Sequence, residues 1–412
     1  MRTRLLGAAL MLSCLLLVPG CGGDDDGGPN PVTGVDIAAG KANLEIGHST
    51  EITAEVSGGD NKDLTWSVNG VENGNSEWGT ITQNSSVTYN APDALPSPRT
   101  VVIKAVSVED TSKVDTCRVA VQFTKLFVDS ATGDDDTATG CISLPYRTIT
   151  RALDDATSGM TVLVKPGTYS DAAGELYPLR IYGEISLIGE NWETSIIQKE
   201  TATSNGVVAI YLAGDNGAVR KFTLRDKGEA TFDRWGHAIS TGQTGGLIDS
   251  IKIYKHTRAC CFRIDGAQNT TIQNCVVNTE ADDWEGNPYS RGFEIVFNTR
   301  NTIVRNCRVS GFGEALFFNY PTNALVEGCH LINNVVGAEL CCTDSEESNP
   351  IPDFGGGARG SAGGNNIWGN SECGLLNKGT STIYAKFNTW DNDPPIDGED
   401  YCNQSTGSIV IE

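Results

Sequence analysis

Positive charge is what this sequence has least of: 30 lysines and arginines stand against 52 aspartates and glutamates, a formal net charge of −22 over 412 residues. That balance excludes recognition of a polyanion through basic patches, so nucleic acid is not an expected partner. Methionine is nearly absent, with 3 residues against 47 glycines, and this composition suits turn-rich β structure rather than helical bundles. Long apolar runs are missing after residue 18, and the one that exists, 5–18, is too short for a stable membrane span. Histidine is scarce too, with 4 residues. His237, His256 and His330 lie scattered, and none has a serine or cysteine partner at a recognisable nucleophile elbow. No histidine falls at ligand spacing from a Cys-x-x-Cys pair, which argues against zinc.

Arg2 and Arg4 precede the apolar run, the pattern of a signal peptide. The run closes in LVPGC, which resembles a bacterial lipobox with Cys21 as the residue that would be acylated. Ordinary signal-peptidase cleavage nearby is the alternative. Residues 1–21 are then signal peptide and lipobox, and attachment to the membrane would be by lipid alone. Gly22, which follows Cys21, carries no acidic retention signal. The expected location is therefore the outer membrane or cell surface rather than the inner membrane. Residues 22–32, opening GGDDDGGPNP, have the composition of a solvated acidic tether.

Residues 33–123 read as short alternating runs separated by turns, the signature of a β-sandwich. Ile52, Ala54 and Val56 alternate with polar neighbours, as do Val101, Ile103 and Ala105, and Trp66 is the expected core aromatic. Asn-Gly at 69–70 and 73–74 supplies turns. LTWSVNGV, VTYNAPDALPSP, VVIKAVSVED and CRVAV together resemble bacterial immunoglobulin-like domains, which implies a spacer without chemistry of its own.

Residues 124–412 repeat. AVRKFTL, LIDSIKI, TIQNCVV, IVRNCRV and LVEGCHL align Phe222, Ile251, Cys275, Cys307 and Cys329, at intervals of 29, 24, 32 and 22 residues. A second ladder, drawn through GHAIST, CCFRI, GFEIVF, EALFFN and GAELCC, aligns Ala238, Cys261, Phe293, Leu316 and Ala338. Two ladders in step predict a parallel β-solenoid, because each unit is too small to bury its own face and must stack on the next. The three aligned cysteines should point inward as a stack. Neighbouring rungs could bring them within disulfide reach, and Cys373 is placed to pair with Cys402. The stretch FVDSATGDDDTATGCISLPYRTITRALDD, with TVLVKPGTY after it, resembles the opening of a family of uncharacterised bacterial right-handed β-helix proteins of the pectin-lyase-like fold. The resemblance implies an extracellular role but no known reaction. It makes 148–156 a helix capping the solenoid's open end, where it would protect edge strands. The expected fold class is thus all-β: an immunoglobulin-like β-sandwich followed by a right-handed parallel β-helix.

Chemistry is sought among the acids. The longest interval holds an inserted loop, TEADDWEGNPYS, in which Asp282, Asp283 and Glu285 surround Trp284. Aromatic faces stack on sugar rings, and paired carboxylates bind calcium or divide acid and base roles in glycoside cleavage. Arg291 and Glu294 on the next strand, and Glu314 one rung on, are candidates to flank the same groove. Calcium is the one cofactor suggested, with a second set of hard ligands at Asp129, Asp134, Asp135 and Asp136. The Gly-rich run after Cys342 should serve a tight backbone path rather than cradle phosphate. Three readings stay open. The first is an envelope lipoprotein whose coil binds an extracellular polysaccharide or cell-wall glycan without turnover, with Trp284, Glu285, Glu294 and Glu314 as contacts. The second is a polysaccharide lyase or glycoside hydrolase using Asp282, Asp283 and Arg291. The third is a structural or adhesive surface protein.

Overall fold

The computed structural model describes residues 30–83, 86–200, 208–226, 237–254, 260–278, 290–341 and 350–412. The candidate loop residues Asp282, Asp283, Trp284 and Glu285, together with Cys21 and His256, lie outside the described residues.

Two five-stranded sheets come first. Val32–Ala39, Ser49–Gly58, Val87–Asn90, Gly79–Gln83 and Gly74–Asn75 form one sheet. Asn43–Glu45, Val114–Gln122, Thr100–Ser107, Leu64–Val68 and Val71–Glu72 form the other. Trp66 and Tyr89 are buried in one core with Val68, Val101, Ile103 and Ala105. Asn69 and Gly70 both take positive φ in the hairpin that pairs Val68 with Val71, as an Asn-Gly turn requires. One expectation is not met: Ile52 is buried, but Ala54 is exposed and Val56 only half-buried. Ala54 sits opposite Ile37 on the neighbouring strand, and it is Ile37 that reaches the core there.

From Lys125 onward the strands pair in parallel, rung on rung. Two long sheets result, one of 16 strands that bends within each rung and one of 9. The first ladder is observed as expected. Phe222 pairs with Ile251, and the pairings of Val276 with Arg308 and of Arg308 with His330 set Cys275, Cys307 and Cys329 in line. The residue before each ladder position, Lys221, Ser250, Asn274, Asn306 or Gly328, has positive φ. A one-residue left-handed corner therefore turns the chain inward at each of these five rungs, a place suited to Asn and Gly. Asn274 and Asn306 also hydrogen-bond each other along the stack at 3.4 Å.

The three stacked cysteines are buried thiols and form no disulfide. Each S–H donates to the carbonyl two residues before it, Gln273, Arg305 and Glu327, at 3.2, 3.3 and 3.4 Å. Burial pushes Cys307 and Cys329 well above the usual thiol range, so they stay protonated. Cys373 and Cys402 do form a disulfide, with Cα atoms 6.3 Å apart.

The second ladder needs a correction. The observed register runs Ile239, Phe262, Phe293, Leu316, Ala338, so Ala238 and Cys261 are each one residue early. Ala238 and Cys261 are themselves buried, and Glu314–Phe318 and Val336–Leu340 are buried at every position. In both misread rungs a second buried apolar residue stands directly before the inward one, so either of the two fits an apolar ladder.

The open end is closed by the helix Ile149–Asp155, which buries Ile149, Ala152 and Leu153. Its start is held three ways. Thr148 Oγ1 accepts from Arg151 N at 3.1 Å, Asp135 accepts from the N–H groups of Arg147 and Thr148, and buried Glu175 accepts from Ile149 N and Thr150 N at 2.7 and 2.8 Å. No described helix is long and apolar enough to cross a membrane.

Candidate functional site on the outer face of the nine-stranded sheet

One residue after each inward position of the nine-stranded sheet, the side chain points outward. Register makes these residues a continuous row: Arg180, Tyr211, Ser240, Arg263, Glu294, Phe317, Glu339, Leu376, Cys402. The row starts in an open cleft of about 320 Å³ beside the cap helix, where Leu153, Leu176, Arg180 and Tyr182 form part of the wall. It ends at the Cys373–Cys402 disulfide.

Its middle is an ion-pair network. Arg263 Nη1 donates to Glu294 Oε2 at 2.9 Å, and its Nη2 to Asp265 Oδ2 at 3.0 Å. Arg291 donates from Nη1 to Glu294 Oε1 at 2.8 Å and from Nε to Glu314 Oε2 at 3.2 Å. Its guanidinium also lies 3.3 Å from the centre of the Phe317 ring. Lys378 pairs with Glu339 at 3.0 Å. Gly292 lets the Arg291 strand pack this closely, since a Cβ there would lie 2.5 Å from the carbonyl oxygen of Ala315. Burial pushes the Glu314 carboxyl up to about 7; Arg291 pulls it back and the Glu339 charge pushes it further. A carboxyl at that value can both donate and accept a proton near neutrality.

Beside this network stands an aromatic pair. Phe297 and Tyr320 stack with ring centroids 4.6 Å apart and planes 25° from parallel, and they are 41% and 39% exposed. Both have positive φ, 53° and 60°, a conformation that costs a bulky residue about 1–2 kcal/mol. One rung earlier the corresponding turn uses Gly266, with φ 68°. The Arg263 guanidinium lies 5.6 Å from the centre of the Phe297 ring. Large apolar rings held exposed in strained backbone are grounds for a hypothesis of binding.

Of the residues singled out in the sequence, Arg291, Glu294 and Glu314 are brought together. The segment that carries Asp282, Asp283, Trp284 and Glu285 joins the chain just before Ser290 and Arg291, outside the described residues. The four calcium candidates are not assembled into one site. Asp129 is bound by Ala131 N, Thr132 Oγ1 and Lys165 Nζ. Burial alone would raise its carboxyl, but these partners together hold it at about 2. Asp134 accepts from the N–H groups of Asp136 and Thr137, and Asp135 serves the cap helix. In the Gly-rich run, Asp353 fills the backbone nest itself, accepting from Gly355, Gly357, Arg359 and Ser361. Sequence reading missed Arg263, Asp265, Glu339, Lys378 and the aromatic pair. The first three sit at fixed offsets from the second ladder and become visible once its register is corrected. Phe297 and Tyr320 left only a faint signal, an aromatic where neighbouring turns carry Gly or Asn.

A family model described as a protein of unknown function, DUF1565, matches residues 131–396. The chain belongs to this family. The DUF1565 region takes in the cap helix and the whole row as far as Leu376. No curated protein matches the sequence. Among solved structures the chain is similar to pectate lyase Pel9A at 14% identity and a TM-score of 0.49, covering 70% of this chain and 77% of that one. It is also similar to an alginate lyase from Paenibacillus sp. str. FPU-7, at 12% identity and a TM-score of 0.40 over 64% of this chain and 96% of that one. The A-module of the mannuronan C-5 epimerase AlgE4 from Azotobacter vinelandii is similar at 15% identity and a TM-score of 0.39, over 63% and 73% of the two chains.

Proposed function

We propose that the DUF1565 coil binds an extracellular polysaccharide or cell-wall glycan along the outer face of the nine-stranded sheet, without turning it over. The observation that carries this reading is the exposed Phe297–Tyr320 stack beside Arg263. Aromatic faces take the apolar face of a sugar ring, and guanidinium and carboxylate groups nearby take its hydroxyls. The stacked rungs offer such groups at a spacing of about 4.8 Å, so a long polymer rather than a small molecule fits the row. Trp284 and Glu285, the other contacts expected from the sequence, lie outside the described residues. Retention on a panel of acidic and neutral polysaccharides tests the reading. Phe297→Ala and Tyr320→Ala should each weaken retention several-fold, and undiminished retention in both would refute it.

A second reading, cleavage of the glycan by a lyase or hydrolase, is favoured by Glu314, which holds a proton near neutrality against Arg291. New chain ends that appear with the native protein and vanish in Glu314→Gln would establish it. For location, we propose acylation at Cys21 and display on the outer membrane or cell surface. Incorporation of labelled palmitate that Cys21→Ala abolishes is the expected result.

A further inference from the structure

We propose that His237, Cys260 and Glu294 form a binding site for one zinc ion. One ligand atom from each, an imidazole nitrogen, the thiol sulfur and a carboxylate oxygen, lies within 4.8 Å of the other two, and among the described residues no other such group occurs. Tetrahedral zinc, with bonds of about 2.0–2.3 Å, holds its ligands roughly 3.3–3.8 Å apart, so closing the site takes shifts of about 1 Å.

The three come from consecutive rungs. His237 stands two residues before Ile239 and Cys260 two before Phe262, which are paired, while Glu294 follows Phe293, the partner of Phe262. Sequence spacing could not reveal this, because a solenoid assembles ligands by stacking rather than by local motif.

The donor set selects the ion. Nitrogen, sulfur and oxygen together suit a borderline cation such as zinc and not calcium or magnesium, which take oxygen ligands. Charge is balanced as well. Cys260 would bind as thiolate, releasing its proton to solvent, and with Glu294 would supply two negative charges against two positive.

Arg263 and Arg291 occupy one lone pair on each Glu294 oxygen, and a carboxylate oxygen has a second to give. Both guanidiniums are themselves paired, with Asp265 and Glu314, so they would orient the ligand rather than repel the ion. Three protein ligands leave a fourth position for water or for a donor atom from outside the chain.

The test is metal binding by the untagged full chain, independent of any glycan. After treatment with chelator, Co²⁺ should bind at one equivalent with a thiolate-to-cobalt charge-transfer band, and Zn²⁺ should displace it. Cys260→Ser should lose the band, and Cys117→Ser, in the sandwich, should keep it. If Cys260→Ser fails to fold, His237→Cys is read instead: a second thiolate should intensify the band, and an unchanged band would overturn the site. Absence of stoichiometric cobalt, or a band that survives Cys260→Ser, would overturn it as well.

Discussion

Single residues carry the site, and three of them are set against the stability of their own surroundings. Glu314 is raised from its ordinary 4.5 to about 7, so folding favours its protonated form. Its contribution to stability is therefore full below pH 4.5 and is lost as pH rises through 7. Glu314→Gln, neutral throughout, should gain stability relative to the native protein near about pH 8 and little near about pH 5, as measured by urea unfolding at both. Phe297 and Tyr320 are held in left-handed backbone that Asn would adopt more readily. Phe297→Asn should leave stability within about 1 kcal/mol of native while it weakens glycan retention. A parallel loss of stability and binding would instead make the pair structural. Legibility was uneven at this scale. Arg291, Glu294 and Glu314 could be picked out because they flank an insertion. Phe297 and Tyr320 were far harder to pick out, because their oddity lies mainly in backbone conformation, which residue type signals only faintly.

At the scale of elements, corners and close approaches set the geometry. The inward ladder from Phe222 to Cys329 was readable because a left-handed corner precedes each member, and that corner wrote Asn or Gly into three of its five repeats. The second ladder was misread by one residue in two rungs, since Ala238 and Cys261 are buried apolar residues directly before the inward Ile239 and Phe262. Gly292 shows what the close stacking demands. Gly292→Ala would place a Cβ 2.5 Å from the Ala315 carbonyl oxygen and should cost about 1–3 kcal/mol. A lower urea midpoint with an unchanged slope is the measurement that checks it.

As a whole, the molecule joins a two-sheet sandwich to a capped coil whose flank carries one row of outward side chains over nine strands. The solenoid was legible because repetition survives even when single turns are irregular. The site was legible only in part, because a row across rungs is assembled from residues some twenty to thirty positions apart, and their partners depend on register. The strongly negative chain should also be repelled by acidic polymers at low salt, so retention of an acidic glycan is expected to rise with ionic strength while that of a neutral one stays level. Retention series at two salt concentrations decide this. The central claim is tested most directly by incubating residues 22–412 with a polysaccharide panel and scoring bound polymer and newly released chain ends together, for the native protein and for Phe297→Ala with Tyr320→Ala. The account predicts retention without release, lost in the double variant. Release of chain ends, or a lack of retention on every polymer, would contradict it.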